Sequence, residues 1–198
     1  MKQLALGISP PPQPTLDNFV PGANAELLAR LREFQAGKFT DNVLYLWGES
    51  GSGKSHLLQA CGARGAADDV EKLDDASQVS LFNAINEARQ SGGAVLAAGN
   101  APPAQLPLRD DLKSRLAWGL VYQVKPLTDE ERGVFLRSEA GRRGMQLPDE
   151  VVSYLMTRMR RDLRSLTAVL DRIDQVSLEL KRPITLPLLR EALKEEWT

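Results

Sequence analysis

Apolar positions along the chain change their spacing repeatedly, and each change marks a predicted element. Pro10, Pro11, Pro12 and Pro14 predict an extended arm over residues 1–14. Leu27, Leu28, Leu31 and Phe34 then recur at helical spacing between Asn24, a helix-capping residue, and Gly37, a stop. Val43 to Trp47 is a short apolar run rich in strand formers, broken by Gly48, and Lys54 to Ala63 has helical composition. Ser77 to Gln90 predicts a helix with Val79, Phe82, Ile85 and Asn86 on related faces, and Gly92-Gly93 turns the chain. Ala94 to Ala98 predicts a strand, Asp111 to Trp118 a helix and Leu120 to Val124 another strand. Helices alternating with strands predict an α/β fold with a parallel sheet.

Past Pro126 the strand signal ends. Thr128-Asp129-Glu130-Glu131 has the spacing of a capping box, and Pro148 before Asp149-Glu150 fits a second helix start. Leu163, Leu166, Leu170, Ile173 and Leu180 suit a packed helix, and Pro187 opens the last one. The predicted organisation is an arm over 1–14, a sheet-bearing core over 15–125 and an all-α region over 126–198.

Composition narrows the function. Of 198 residues, 42% are apolar and 26% charged, the balance of a soluble globular protein. Basic and acidic side chains number 25 and 26, which disfavours a protein whose main work is gripping a nucleic-acid backbone. One Cys excludes an internal disulfide framework, and one His excludes multi-His metal centres. No apolar run approaches bilayer length and no secretory signal is evident, so a cytoplasmic protein without membrane contact is expected.

Gly48-Glu49-Ser50-Gly51-Ser52-Gly53-Lys54-Ser55 fits G-x-x-x-x-G-K-[ST] between a predicted strand and a predicted helix. Glycines let backbone N–H groups turn inward around phosphate oxygens, and the following helix aims its positive end at the same anion. Lys54 supplies a cation for the terminal phosphates, and the Ser55 hydroxyl is placed for Mg²⁺. His56, next in line, reads as a packing or capping residue rather than a catalytic one, and Cys61 as a small hydrophobe rather than a reactive thiol.

Four ordered motifs over residues 15–166 carry a resemblance to the DnaA/Hda branch of the AAA+ P-loop proteins. Thr15-Leu16-Asp17-Asn18-Phe19-Val20, with Gly22 and Asn24, resembles the opening motif of the bacterial replication initiator DnaA, which wraps the adenine. Gly53-Lys54-Ser55-His56-Leu57-Leu58 is similar to the family's phosphate loop, including its unusual His. Leu112-Lys113-Ser114-Arg115-Leu116-Ala117-Trp118-Gly119-Leu120 resembles the arginine-finger box, and Asp162-Leu163-Arg164-Ser165-Leu166 the second sensor.

The initiators continue into a basic DNA-reading domain, whereas this chain stops after the helical region, which the resemblance makes a lid. Gln3, Leu4 and Leu6 on the arm resemble a sliding-clamp-binding motif, with Gly7 where relatives place Pro. The combination is similar to Hda-like regulators, which bind the DNA polymerase clamp and promote ATP hydrolysis by the initiator.

The resemblance implies a bacterial negative regulator of replication initiation holding ADP or ATP, with Mg²⁺ at Ser55 and Asp68. It implies little turnover of its own, contact with DnaA, at most weak DNA contact, and room for a homo-oligomer. Nucleotide contacts would come from Asn18, Phe19, the loop, His56, Asn100 at the first-sensor position and Arg164; Arg115 would act as a finger in trans, and Asp69 on the attacking water. Two other functions remain open, a DnaA-like adaptor or loader and an independent clamp-loader-like ATPase. Leu116 and Trp118, after Arg115, read as core anchors; the residues alone also leave alternatives, an arm that is only a tail and an Arg115 paired with Asp110 or Asp111. Seven Arg from Arg137 to Arg164, against four acidic residues, are too small an excess for autonomous DNA binding.

One segment departs from the family. Thirteen residues separate Lys54 from Asp68, and the strand before Asp68-Asp69 is reduced to Gly65-Ala66-Ala67. A sheet lacking an interior strand would leave unpaired backbone groups, which favours an omitted segment over a natural shortening near 64–68.

Overall fold

The structure, a computed structural model, describes residues 13–62, 66–159 and 162–194, without the side chains of Arg164 and Lys194. The described residues fall into two compact units, one ending at Pro126 and the other starting at Leu127.

The first unit is built on three parallel strands, β1 (Val43–Trp47), β2 (Val95–Gly99) and β3 (Leu120–Gln123), in the order β2-β1-β3. Leu46 stands opposite Ala98 on one side and Tyr122 on the other, so β1 is hydrogen-bonded along both edges. Parallel neighbours need long crossovers. They are supplied by α2 (Lys54–Cys61) and α3 (Asp75–Ser91) between β1 and β2, and by α4 (Asp110–Leu116) before β3.

Side chains of β1 alternate between two cores. Val43 and Tyr45 join Leu81, Ile85, Leu112 and Leu116 on one face. Leu44 and Leu46 join Leu28, Leu31, Leu57 and Leu58 on the other, the first two from α1 (Ala25–Gln35).

Ala67 forms a parallel bridge to Ala97, its N–H donating to the Leu96 carbonyl (3.1 Å) and its carbonyl accepting from Ala98 (2.7 Å). Ala67 thus stands on the outer side of β2, and β1 is paired along both edges. Two expectations, on Asn24 and on α3, are corrected. Asn24 does not cap α1. It is buried, with Nδ2 donating to the Lys125 carbonyl and Oδ1 accepting the Lys125 N–H, both at 2.8 Å, so it joins the start of the core to its end. On α3 the buried positions are Gln78, Leu81, Ile85 and Ala88, and Val79 is 40% exposed.

The second unit holds α5 (Asp129–Arg142), α6 (Asp149–Arg158), α7 (Leu163–Leu180) and α8 (Leu186–Lys194). The capping box forms: Thr128 Oγ1 accepts the Glu131 N–H (3.2 Å), and Glu131 Oε2 accepts the Thr128 N–H (2.8 Å). Asp162 caps α7 through Ser165 N–H at 2.8 Å. Leu136, Val151, Leu155, Leu166, Leu170, Ile173 and Leu189 close a core of their own. The fold is α/β, a three-stranded parallel sheet with a glycine loop after β1 and helices around it, followed by an all-α unit.

Candidate nucleotide site

The loop between β1 and α2 turns on glycines at positive φ, Gly51 at 81° and Gly53 at 102°. At Gly53 close approach adds to the constraint, since a Cβ there would sit 2.6 Å from Phe19 Cε2. Lys54 is buried within the loop it serves, its Nζ donating to the carbonyls of Gly48 (2.8 Å) and Glu49 (3.0 Å). Burial lowers its pKa, and the carboxylates of Asp68, Glu71 and Asp69 act in the opposite direction.

Two features leave the loop short of an anion. No side chain caps α2, so the N–H groups of its first turn have no cap acceptor. Ser52 Oγ is buried without a hydrogen-bond partner. Glu49, Ser50 and Gly51 line the exposed rim, and Ser55 is half-buried on the first turn. An uncapped helix N-terminus and a fixed cation together suit a polyphosphate.

The segment before α1 folds against this helix. The Thr15 N–H donates to Asn18 Oδ1 (2.9 Å), the Asn18 N–H to Thr15 Oγ1 (3.1 Å), and Asn18 Nδ2 to the Gln13 carbonyl (2.9 Å). His56 Nε2 lies 3.0 Å from the Thr15 carbonyl, and its ring stands 5.6 Å from that of Phe19. His56 therefore holds residues 15–19 to α2, with Phe19 placed over Gly53.

The acidic residues are distributed unevenly. Asp68 is exposed and its Oδ1 accepts the Asp69 N–H (2.9 Å). Asp69, in the left-handed region at φ 49°, pairs with Lys72 at 2.7 Å. Glu71, not singled out in the sequence, accepts the Asn100 N–H at 3.2 Å, just past the end of β2. Its only sequence signal is its position three residues after Asp68; the sheet brings it to Asn100, 29 residues away. Among the described residues no group of three or more His, Cys, Asp or Glu side chains is placed to hold a metal by itself.

Arg115, on the last turn of α4, lies apart from any carboxylate among the described residues. Lys113 pairs with Asp110 and Arg109 with Asp111, each at 2.7 Å. The Arg115 guanidinium stacks instead on Trp118, 3.5 Å from the ring centroid. Leu116 is buried, but Trp118 is 44% exposed and is no core anchor. Arg164 opens α7 in the second unit, its side chain outside the described residues, as are Gln3, Leu4 and Leu6. No helix among the described residues is long and apolar enough to cross a membrane.

Comparison with known proteins adds two findings. Residues 129–193 match the family model described as Hda, lid domain. Domain III of the replication initiation protein DnaA from Thermotoga maritima superposes with a TM-score of 0.75 at 24% identity, over 93% of this chain and 97% of that one. AMPPCP-bound DnaA from Aquifex aeolicus gives 0.70 at 20% identity over 82% of this chain, which spans 65% of that protein's chain. The RuvB Holliday junction branch migration motor of Thermotoga maritima gives 0.68 at 18% identity, over 92% of this chain and 72% of that one. At these identities the structural likeness shows the fold.

Proposed function

We propose, for an Hda-like chain that carries an Hda lid domain on the fold of DnaA domain III, that it is a negative regulator of replication initiation in the bacterial cytoplasm. It binds an adenine nucleotide, attaches to the sliding clamp through Gln3, Leu4 and Leu6, and accelerates hydrolysis of ATP held by the initiator DnaA. The observation that carries this reading is the match of residues 129–193 to the Hda lid domain.

The site supports a role for each group. Loop N–H groups and Lys54 hold the β- and γ-phosphates, while Phe19 and Asn18, fixed through Thr15 and His56, border the base. Ser55 and Asp68 would be the ligands for a nucleotide-bound Mg²⁺, an ion that commonly takes only one or two protein carboxylates besides phosphate. Bound nucleotide with its metal supplies the charge that the loop neutralises. Asp69 is turned toward Lys72 and Asp68 is exposed, which supports weak turnover by the chain itself. Asn100, just past β2, is the first sensor in this reading, and Arg164 is assigned the second-sensor role from its sequence motif alone.

Arg115 acts on the partner. It projects from α4, whereas the phosphate loop serves this chain's own ligand. A guanidinium offered to a neighbour's γ-phosphate stabilises charge that develops in the transition state, and such fingers raise rates by roughly 10³–10⁵ in GTPases. The test is single-turnover hydrolysis of initiator-bound ATP in the presence of clamp-loaded DNA. Wild-type protein is expected to accelerate it. Arg115→Ala should abolish the acceleration yet keep wild-type affinity for ADP by isothermal titration. Equal acceleration by both proteins defeats the finger assignment, and no acceleration by wild type defeats the regulatory one.

A further inference from the structure

Two guanidinium groups share one indole. The Cζ atoms of Arg115 and Arg89 lie 3.5 Å and 4.6 Å from the Trp118 ring centroid, and Arg115 is also 5.2 Å from the Phe82 ring centroid. Among the described residues neither Arg has a carboxylate within ion-pair distance, because Asp110 and Asp111 are engaged by Lys113 and Arg109. Arg115 Nε is buried without a hydrogen-bond partner, while the ring beneath it is 44% exposed. Like charges on one ring repel, and a cation–π contact at an exposed ring offsets little of that repulsion. The cluster is therefore short of an anion.

We propose that Arg89, Trp118 and Arg115 form one anion-receiving platform for the phosphates of a partner's bound nucleotide, with Trp118 the positioning residue of Arg115 and Arg89 a second cation. This deepens the finger reading above and rests on it. The stack sets the guanidinium plane, with one face against the indole and Nε turned inward. The terminal nitrogens are then the donors left for a bidentate grip on a phosphate. The turn after α4 holds the pair in register, since the Trp118 N–H donates to the Arg115 carbonyl at 3.2 Å. Arg89 comes from the last turn of α3 and adds charge from a second element, so it should act on affinity more than on the chemical step.

Trp118→Leu keeps apolar bulk without a π face, whereas Trp118→Phe keeps a smaller one. In the single-turnover assay, Trp118→Leu should lower the maximal stimulated rate roughly tenfold and leave the half-saturating concentration unchanged. Trp118→Phe should restore most of the rate. Arg89→Gln should raise the half-saturating concentration about fivefold, less at high salt, with the maximal rate kept. A wild-type rate for Trp118→Leu overturns the proposal, as does an equal loss in Trp118→Phe.

Failure of the regulatory reading itself is separable by titrating inorganic pyrophosphate against tryptophan fluorescence, taken as wild type minus Trp118→Phe. A saturable difference signal that disappears in Arg115→Ala supports the platform even if wild type proves inactive on the initiator. Absence of that signal overturns it.

Discussion

Cys61 sits half-buried at the end of α2, and desolvation raises its pKa from 9.0 to about 11. Each pKa unit is tenfold in the thiolate fraction, so alkylation by iodoacetamide at pH 7.5 should run roughly a hundredfold slower than for an unperturbed thiol, and faster only once the chain is unfolded. The linkage has a definite sign. Between the unfolded value and about 11 the folded chain keeps a proton that the unfolded chain loses. The contribution is thus present at neutral pH and lost as pH rises through that window. Melting curves at pH 8 and pH 10.5 should converge in Cys61→Ala relative to wild type; an unchanged pH dependence would disprove the shift. That Cys61 is a hydrophobe was legible in its helical neighbours. That His56 turns to the Thr15 carbonyl was not, because the contact spans 41 residues.

Helices of the second unit begin on local chemistry. The reciprocal bonds of Thr128 and Glu131 satisfy two donors at the start of α5 that would otherwise lack partners. Thr128→Ala should destabilise this unit by about 1 kcal/mol, and Thr128→Ser should restore most of it, read by urea unfolding followed by circular dichroism. A Thr128→Ala midpoint equal to wild type would count against the cap's contribution. This element could be read from four consecutive residues. The inward face of α3 could not, because it includes a polar residue. Gln78 is buried only because its Nε2 reaches the Leu73 carbonyl (3.1 Å) and its Oε1 the Arg109 N–H (3.0 Å). Without those partners in view, Val79 and Phe82 look like the better inward pair, yet Val79 faces solvent.

At the scale of the whole chain, the proposed clamp attachment and the folding of the core should be separable, since described residues from Leu16 onward pack two apolar cores on β1. Gln3→Ala combined with Leu4→Ala should abolish co-elution with the sliding clamp and leave the melting temperature and ADP affinity at wild-type values. Retained co-elution would make the arm a tail. Each unit has its own apolar core, so mutations in α5–α8 and in the phosphate loop should be additive in stability as long as they are well separated.

What the chain's order of residues determined by itself was everything whose cause is local. The glycine loop, the strand before it, the helix after it and the capping box each depend on neighbours within a few positions, so spacing and residue type suffice. Tertiary structure decided the rest, because it depends on which distant groups meet. The strand order β2-β1-β3 places Ala67 on the outer side of β2. The same sheet carries Glu71 to Asn100, and Asn24 crosses to Lys125, 101 residues on. Arg115 carried no mark of its stack. Asp110 and Asp111 on the same helix offered ion pairs, but they were taken by Lys113 and Arg109, and the guanidinium was left with the exposed face of Trp118.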